Sequence, residues 1–332
     1  MTIRTIAFYC DGGPKTGVGH MVRSFNLATA FATNGWHVRM LATRGAYDTA
    51  SPFLDGAFEY VEAGYPADAQ RLFDALADSD LAVLDSYVVD EAFESQLRRA
   101  GKRLLVIEDL ADRRHHCSAL LNLAPGPNQA ELVPEDCQLF LGPAFAPIAP
   151  KIRKMRAKAE ALRLERRGVR KILVNFGGTD PFGLTAVCVK ALAGLGVSVV
   201  AAVGSSAVGL DAVRELQSPT VEVHVDATSL ADLMADSDLA IAGAGYSSWE
   251  RCVLGLPSIA VCLVENQRNI AQIVSAKGAA VVVPFSTDRF AEAIRKEVRL
   301  LIEDPELSAR MSRAGFALCD GAGADRVFAG LS

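Results

Sequence analysis

Short, unbroken apolar runs alternate with longer amphipathic stretches along almost the whole chain, and this alternation constrains the fold more than any other feature. The run Ile3–Tyr9 is followed by amphipathic His20–Asn34 and then by His37–Thr43. Amphipathic Ala67–Ala77, apolar Leu81–Leu84, amphipathic Glu91–Ala100 and apolar Arg103–Glu108 repeat the plan, and short apolar pieces at Ala119–Asn122 and Gln138–Leu141 close the first half. The second half starts again at Lys171–Phe176 and runs through Gly183–Leu192, Val197–Val203, Leu210–Leu216, Val221–Val225, Leu230–Ala235, Leu239–Ala242, Ser247–Leu254, Ser258–Leu263, Asn269–Ala276 and Ala280–Pro284. Helices are expected over Thr287–Ile302 and Pro305–Leu318. A strand that is apolar throughout has no face to show water, so both faces must be covered, and alternation with helices predicts parallel sheets. Two such series in 332 residues predict an α/β protein of two doubly wound, Rossmann-like domains with a cleft between them. The expected division is 1–150 for the first domain, 151–170 for a charged linker helix, 171–315 for the second domain and 316–332 for a tail helix. The linker reading rests on three prolines within Gly142–Pro150 and on the basic run that follows, with Lys151, Arg156 and Arg163 among its members.

Charge narrows the function. Lys and Arg number 34 against 39 Asp and Glu, a net charge of −5, so a broad surface for nucleic acid or an anionic membrane is not expected. No apolar run reaches the roughly 18 residues of a membrane span. The start meets Cys10–Asp11–Gly12 before a signal-peptide core could form, so a cytoplasmic protein is expected. Seven cysteines without a CxxC read as buried thiols, and five histidines lack metal-ligand spacing, so neither a metal nor a cofactor is expected. The expected partner is a small-molecule substrate, acting on a monomer or weak homo-oligomer.

In doubly wound sheets, ligands meet the loops at the carboxyl ends of the strands. The first such loop, Asp11–Arg23, carries Gly12, Gly13, Gly17 and Gly19 and then His20, with Arg23 one turn further on. Glycines let the backbone approach a ligand, and the positive end of the helix dipole favours a neutral imidazole, suited to act as a base. The loop is neither a GxGxxG fingerprint nor a Walker A motif. Arg23 lies at i+3 from His20, on the same face, and either pairs with an acid such as Asp11 or Asp85 or contacts substrate. Asp85-Ser86-Tyr87 follows a later strand, and Glu108-Asp109 the next; both could position water or sugar hydroxyls, and Asp85 could equally brace the glycine loop. In the second half, Gly177-Gly178-Thr179-Asp180 permits close approach to a diphosphate, with Asp180-Pro181 reading as an N-cap and first helical residue. Tyr246-Ser247-Ser248 with Glu250 offers hydroxyls for phosphate and a carboxylate for ribose, and Asn266-Gln267 offers amides for a sugar.

The ordered set Gly-x-Gly-His-x-x-Arg, Asp-x-Tyr, Gly-Gly-Thr-Asp, Ser-x-x-Glu and Asn-Gln resembles the UDP-2,4-diacetamido-2,4,6-trideoxy-β-L-altropyranose hydrolases of pseudaminic acid biosynthesis. Val106–Leu110, His116-Cys117 and Leu121-Asn122 are similar to that family too. The resemblance covers about residues 3–285. It implies the two-domain glycosyltransferase B (GT-B) fold and metal-independent hydrolysis at the anomeric carbon, with inversion and release of UDP. His20 would be the catalytic histidine. Gly17, Gly19, Arg23, Asp85, Tyr87, Asn266 and Gln267 would serve the sugar; Gly177, Gly178, Thr179, Asp180, Tyr246, Ser247, Ser248 and Glu250 would serve the nucleotide. Ser86 stands where the family has histidine, and the first loop departs from its usual pattern, which leaves the sugar open. A UDP-sugar-dependent glycosyltransferase of the same fold is the alternative; a non-catalytic nucleotide-sugar binder and a 2-epimerase are weaker readings.

Overall fold

The computed structural model describes residues 3–13, 18–51, 58–165, 168–227, 229–285 and 288–332, the side chain of residue 164 excepted. They form two compact units, residues 1–148 with 322–332, and residues 149–321.

The first unit is built on seven parallel strands: β1 (Thr5–Cys10), β2 (His37–Ala42), β3 (Glu59–Glu62), β4 (Leu81–Asp85), β5 (Arg103–Ile107), β6 (Ala119–Asn122) and β7 (Gln138–Leu141), in the order β3-β2-β1-β4-β5-β6-β7. Helices α1 (Gly19–Thr33), α2 (Arg44–Ala50), α3 (Ala69–Ala77) and α4 (Glu91–Arg99) join them. β1 and β4 are buried on both faces, as unbroken apolar runs demand: Ile6, Ala7, Phe8, Ala82 and Val83 are fully inaccessible. The chain winds outward from β1 to β3 and then returns to the other side of β1 as β4, with Cys10 opposite Asp85. The crevice at the carboxyl ends of β1 and β4 is therefore the topological switch point, where doubly wound sheets take their ligands. α2 and β3 have no counterpart in the sequence reading. α2 buries only Ala46 and Ala50, and β3 is a four-residue edge strand with no fully buried side chain, so neither leaves a clear apolar period.

The second unit carries six parallel strands: β8 (Lys171–Asn175), β9 (Ser198–Val203), β10 (Val221–Val225), β11 (Leu239–Gly243), β12 (Ser258–Cys262) and β13 (Ala280–Pro284), ordered β10-β9-β8-β11-β12-β13. Its helices are α5 (Pro150–Glu165), α6 (Leu184–Ala191), α7 (Leu210–Arg214), α8 (Leu230–Asp236), α9 (Ser247–Val253), α10 (Arg268–Ala276), α11 (Phe290–Glu303) and α12 (Pro305–Leu318). Ile172, Val174, Ile241, Ile259, Ile294 and Val298 sit in one fully buried core. The switch point here lies between β8 and β11.

The basic run expected to be a solvated linker has another use. Within α5, Arg156 donates to the carbonyls of Val253, Phe316 and Cys319, and Arg163 to those of Met234, Ser237 and Leu254. These carbonyls lie in or just beyond the last turns of α8, α9 and α12, where orphan acceptors and the negative dipole end favour cations. The segment 322–332, containing α13 (Gly323–Leu331), belongs to the first unit: Phe328 meets Phe31 of α1 edge-to-face at 5.1 Å, and Arg326 donates to Ala144 O at 2.7 Å. No helix among the described residues is long and apolar enough to cross a membrane.

Candidate active site

At the switch point of the first unit, α1 starts immediately after the β1 loop and so brings His20 to the end of β4. His20 is almost fully buried, and its Nδ1 lies 2.5 Å from Asp85 Oδ1. Asp85 is inaccessible and accepts from every side: Arg23 Nη2 and Nε at 2.6 and 2.7 Å, and Ser24 Oγ at 2.9 Å. Burial alone would raise its pKa. The charge of Arg23, with hydrogen bonds from Arg23 and His20, outweighs this and holds the carboxyl well below the usual carboxylate range. An ionised Asp85 accepts the Nδ1 proton of His20, which leaves Nε2 as the basic nitrogen, the same orienting role that a carboxylate plays toward histidine in Ser-His-Asp hydrolases. Among the described residues Nε2 has no hydrogen-bond partner.

Arg23 also donates to Asp109 Oδ1 at 2.6 Å, and Tyr87 OH donates to Asp109 Oδ2 at 2.7 Å. The Tyr87 ring stands edge-on to His20, with centroids 4.6 Å apart. Two contacts fix the turn that carries it: Ser86 Oγ accepts the amides of Val88 and Val89, and Asp11 accepts the Tyr87 amide at 2.8 Å. Ser86 thus shapes a turn here.

Behind Asp109 lies a second buried group that the sequence did not reveal. His115 places Nδ1 2.9 Å from Glu94 Oε1 and Nε2 2.7 Å from Glu108 Oε2, and all three residues are less than 5% exposed. Burial disfavours the imidazolium, yet the bonds to Glu108 and Glu94 override it and raise the His115 pKa to about 9. Glu108 is likewise pulled down to about 2 by His115 and by backbone amides, against the effect of its burial.

In the second unit the loop after β8 carries Gly177, whose φ of +86° suits glycine. The next loop presses against it: a Cβ on Gly204 would lie 2.2 Å from Gly178 O. After β11, Arg251 is buried and donates to Ser247 Oγ at 2.9 Å, Ser248 Oγ at 2.8 Å, Gly243 O at 3.0 Å and Ser258 Oγ at 3.1 Å. No carboxylate pairs with it among the described residues, and burial lowers its pKa to about 10. Because Ser247 and Ser248 accept from the guanidinium, their own hydroxyl hydrogens remain available to an acceptor such as a phosphate oxygen. Burial raises the neighbouring Glu250 to about 7, opposed by Arg251. Gln267 accepts the Leu263 amide, and its amide nitrogen lies beside Gly245.

Several expected roles change. Asp85 and Arg23, expected to touch sugar, are enclosed, and their polar atoms are engaged with His20, Ser24, Asp109 and each other; of the two acids considered for Arg23, the structure brings Asp85 and not Asp11. Asp180, expected both at the nucleotide and as an N-cap followed by a helical Pro181, is inaccessible and serves the helix end: α6 starts at Leu184, not Pro181, and the two Asp180 oxygens accept the Leu184 and Thr185 amides at 3.0 and 2.8 Å. Gly17 lies outside the described residues. Gly19, His20 and Tyr87 gather in the first unit; Gly177, Gly178, Thr179, Tyr246, Ser247, Ser248, Glu250, Asn266 and Gln267 lie at strand ends of the second.

The glycosyltransferase family 28 C-terminal domain matches residues 172–323. The MurG crystal structure from Acinetobacter baumannii superposes with a TM-score of 0.69 at 16% identity, covering 98% of each chain. The chain has the GT-B fold. The Arabidopsis thaliana UGT89C1 structure complexed with UDP-L-rhamnose gives a TM-score of 0.64 at 14% identity over all of both chains. By sequence, the spore coat polysaccharide biosynthesis protein SpsG of Bacillus subtilis is 23% identical over 98% of this chain and 96% of its own length. An uncharacterized protein of Methanocaldococcus jannaschii is 23% identical over 79% of this chain, and the match spans only 56% of that protein.

Proposed function

We propose that this protein is an enzyme acting on a nucleotide-diphosphate sugar, and that it hydrolyses a UDP-linked diacetamido-trideoxyhexose of the L-altrose type at the anomeric carbon. One observation carries the reading: Nδ1 of a buried histidine at a switch-point loop lies 2.5 Å from Asp85 Oδ1, so an ionised Asp85 holds the Nδ1 proton and leaves Nε2 as base. In the proposed step, Nε2 of His20 takes a proton from water as the water oxygen bonds to the anomeric carbon. The bond from that carbon to the phosphate oxygen breaks, its electrons leave with UDP, and the configuration inverts. Asp85 stabilises the imidazolium that forms, and the proton then passes to solvent. UDP is a good leaving group, so base and orientation supply most of what is needed; a positioned base contributes about 10²–10⁴-fold.

The loops of the second unit take the UDP moiety: Gly177–Thr179, Ser247 and Ser248 at the diphosphate, Glu250 at the ribose, and Asn266 with Gln267 at the sugar. The UDP complex of a fold neighbour and the polysaccharide role of the Bacillus relative support a nucleotide-sugar substrate. A second reading, transfer of the sugar to a hydroxyl acceptor, is favoured by the family 28 match.

One experiment separates them. The protein is incubated with a UDP-diacetamido-trideoxyhexose and EDTA in water enriched in the heavy oxygen isotope. Label in the released sugar, without any acceptor, is expected. Label in UDP, or no release until an acceptor is added, rejects the hydrolase. His20→Ala is expected to bind UDP but not turn over.

A further inference from the structure

The Glu94–His115–Glu108 group lies outside the reacting residues, yet it joins them through an unbroken run of short contacts. Glu108 uses one oxygen for His115 and the other for the amides of Asp109 and Leu110, both at 2.6 Å. These two hydrogen bonds accepted from the main chain fix the turn after β5 and aim the Asp109 carboxylate. Asp109 then divides its oxygens between Arg23 and Tyr87, and Arg23 with Asp85 sets the His20 ring. Glu94 holds the other side, accepting from His115, from the His116 amide at 2.7 Å and from Arg113 at 3.3 Å. Two buried glutamates this close would repel without a cation between them. His115 is that cation, and with both ring nitrogens engaged it has no lone pair for general-base work.

We propose that His115, clamped between Glu94 and Glu108, is a positioning residue that sets the Asp109 carboxylate and, through Arg23 and Tyr87, the tautomer and orientation of His20. The charged and titratable groups that face His115 are Glu94 from α4, Glu108 after β5, Arg113 in its own loop and Cys137 ahead of β7. Of these, the two glutamates set its charge. As pH rises through about 9, His115 loses its proton and the two carboxylates push apart, so the effect on His20 reverses within that window.

The kinetic part of the test rests on the hydrolase reading; the spectroscopic part does not. Ring-nitrogen NMR of His20 in the full-length protein, without nucleotide sugar, reports which nitrogen holds the proton. His115→Gln and Glu108→Ala are expected to replace the single Nδ1–H tautomer by a mixture and to lower kcat at least about tenfold, with KM within about twofold. Glu108→Gln keeps an oxygen for the two amides and is expected to restore both readouts to within about threefold. Wild-type kcat should fall as pH passes about 9, and the limb should vanish in His115→Gln. The proposal is overturned if the variants lose thermal stability alone while the His20 nitrogens and kcat stay as in wild type. If His115→Gln and Glu108→Ala do not fold, the wild-type titration decides: His20 nitrogens indifferent to the ionisation of His115 reject it. A wild type with no turnover but the expected His20 response counts against the hydrolase and leaves the positioning role standing.

Discussion

Replacing Asp85 by asparagine tests whether the tautomer of His20 governs turnover. The carboxylate accepts from His20, from two nitrogens of Arg23 and from Ser24, and it is fully inaccessible. Asparagine keeps the shape but has one acceptor oxygen. With that oxygen held by Arg23, the amide nitrogen faces His20 and donates, so Nδ1 becomes the acceptor and the proton moves to Nε2. In the proposed mechanism the base is then lost where water must be deprotonated. The contribution of a positioned base, about 10²–10⁴-fold, corresponds to about 2.7–5.4 kcal/mol of barrier. The same change leaves Arg23 with Asp109 as its one carboxylate partner. Removing one member of a buried ion pair costs about 3–5 kcal/mol of stability, and retention of Asp109 puts the expected loss toward the lower figure. Stability from Asp85 is present above its unfolded pKa of 3.8 and is lost as pH falls toward its depressed folded value, so the variant should differ least from wild type in acid. The assay is UDP release under saturating substrate, with thermal unfolding at the same pH to confirm a folded population and calorimetry to confirm UDP binding. A folded Asp85→Asn protein with kcat within about threefold of wild type would refute the tautomer argument.

If Glu250, raised to about 7 by burial, holds the ribose as proposed, it accepts both hydroxyls best when ionised; UDP affinity should then weaken toward tenfold per pH unit below about 7, and calorimetry should find that slope absent in Glu250→Gln. In the free protein the same carboxyl favours the folded state most below pH 4.5 and loses that contribution as pH rises through about 7, which urea titrations at several pH values would detect. Gly204→Ala would put a methyl 2.2 Å from Gly178 O, so the loop after β8 must shift; UDP affinity should fall about tenfold or more, with the circular dichroism spectrum retained. Asp180→Ala removes both caps of α6 and should cost about 1–2 kcal/mol in denaturant unfolding, whereas Asp180→Asn should recover part of it.

The sheets were legible because each central strand is an apolar run with no polar face, and the loops were legible because glycine, histidine and hydroxyl residues follow those runs directly. His20 and Arg23 could be paired by helical spacing alone. The acid beneath them could not be chosen, since Asp85 reaches His20 through the β1–β4 register, which local spacing does not encode. Asp180 misled because a Gly-Gly turn followed by Asp-Pro is compatible with either a phosphate loop or a cap, and only its two amide partners decide. The Glu94–His115–Glu108 group spans α4 and the loop after β5; the strand-end position of Glu108 and the adjacent His115 and His116 were the local hints, and nothing in the sequence says which histidine turns inward or that Glu94 meets it.

The return of α13 to the first unit has a consequence for biosynthesis. Val327 and Leu331 are buried there, and Phe328 packs on Phe31 almost 300 residues earlier in the chain. The half translated first therefore waits, with that apolar patch of α1 uncovered, while the ribosome makes the whole of the half translated second, which is contiguous and can collapse on its own. Nascent chains stalled just before residue 322 should bind chaperones through that patch, and synthesis of residues 322–332 should release them.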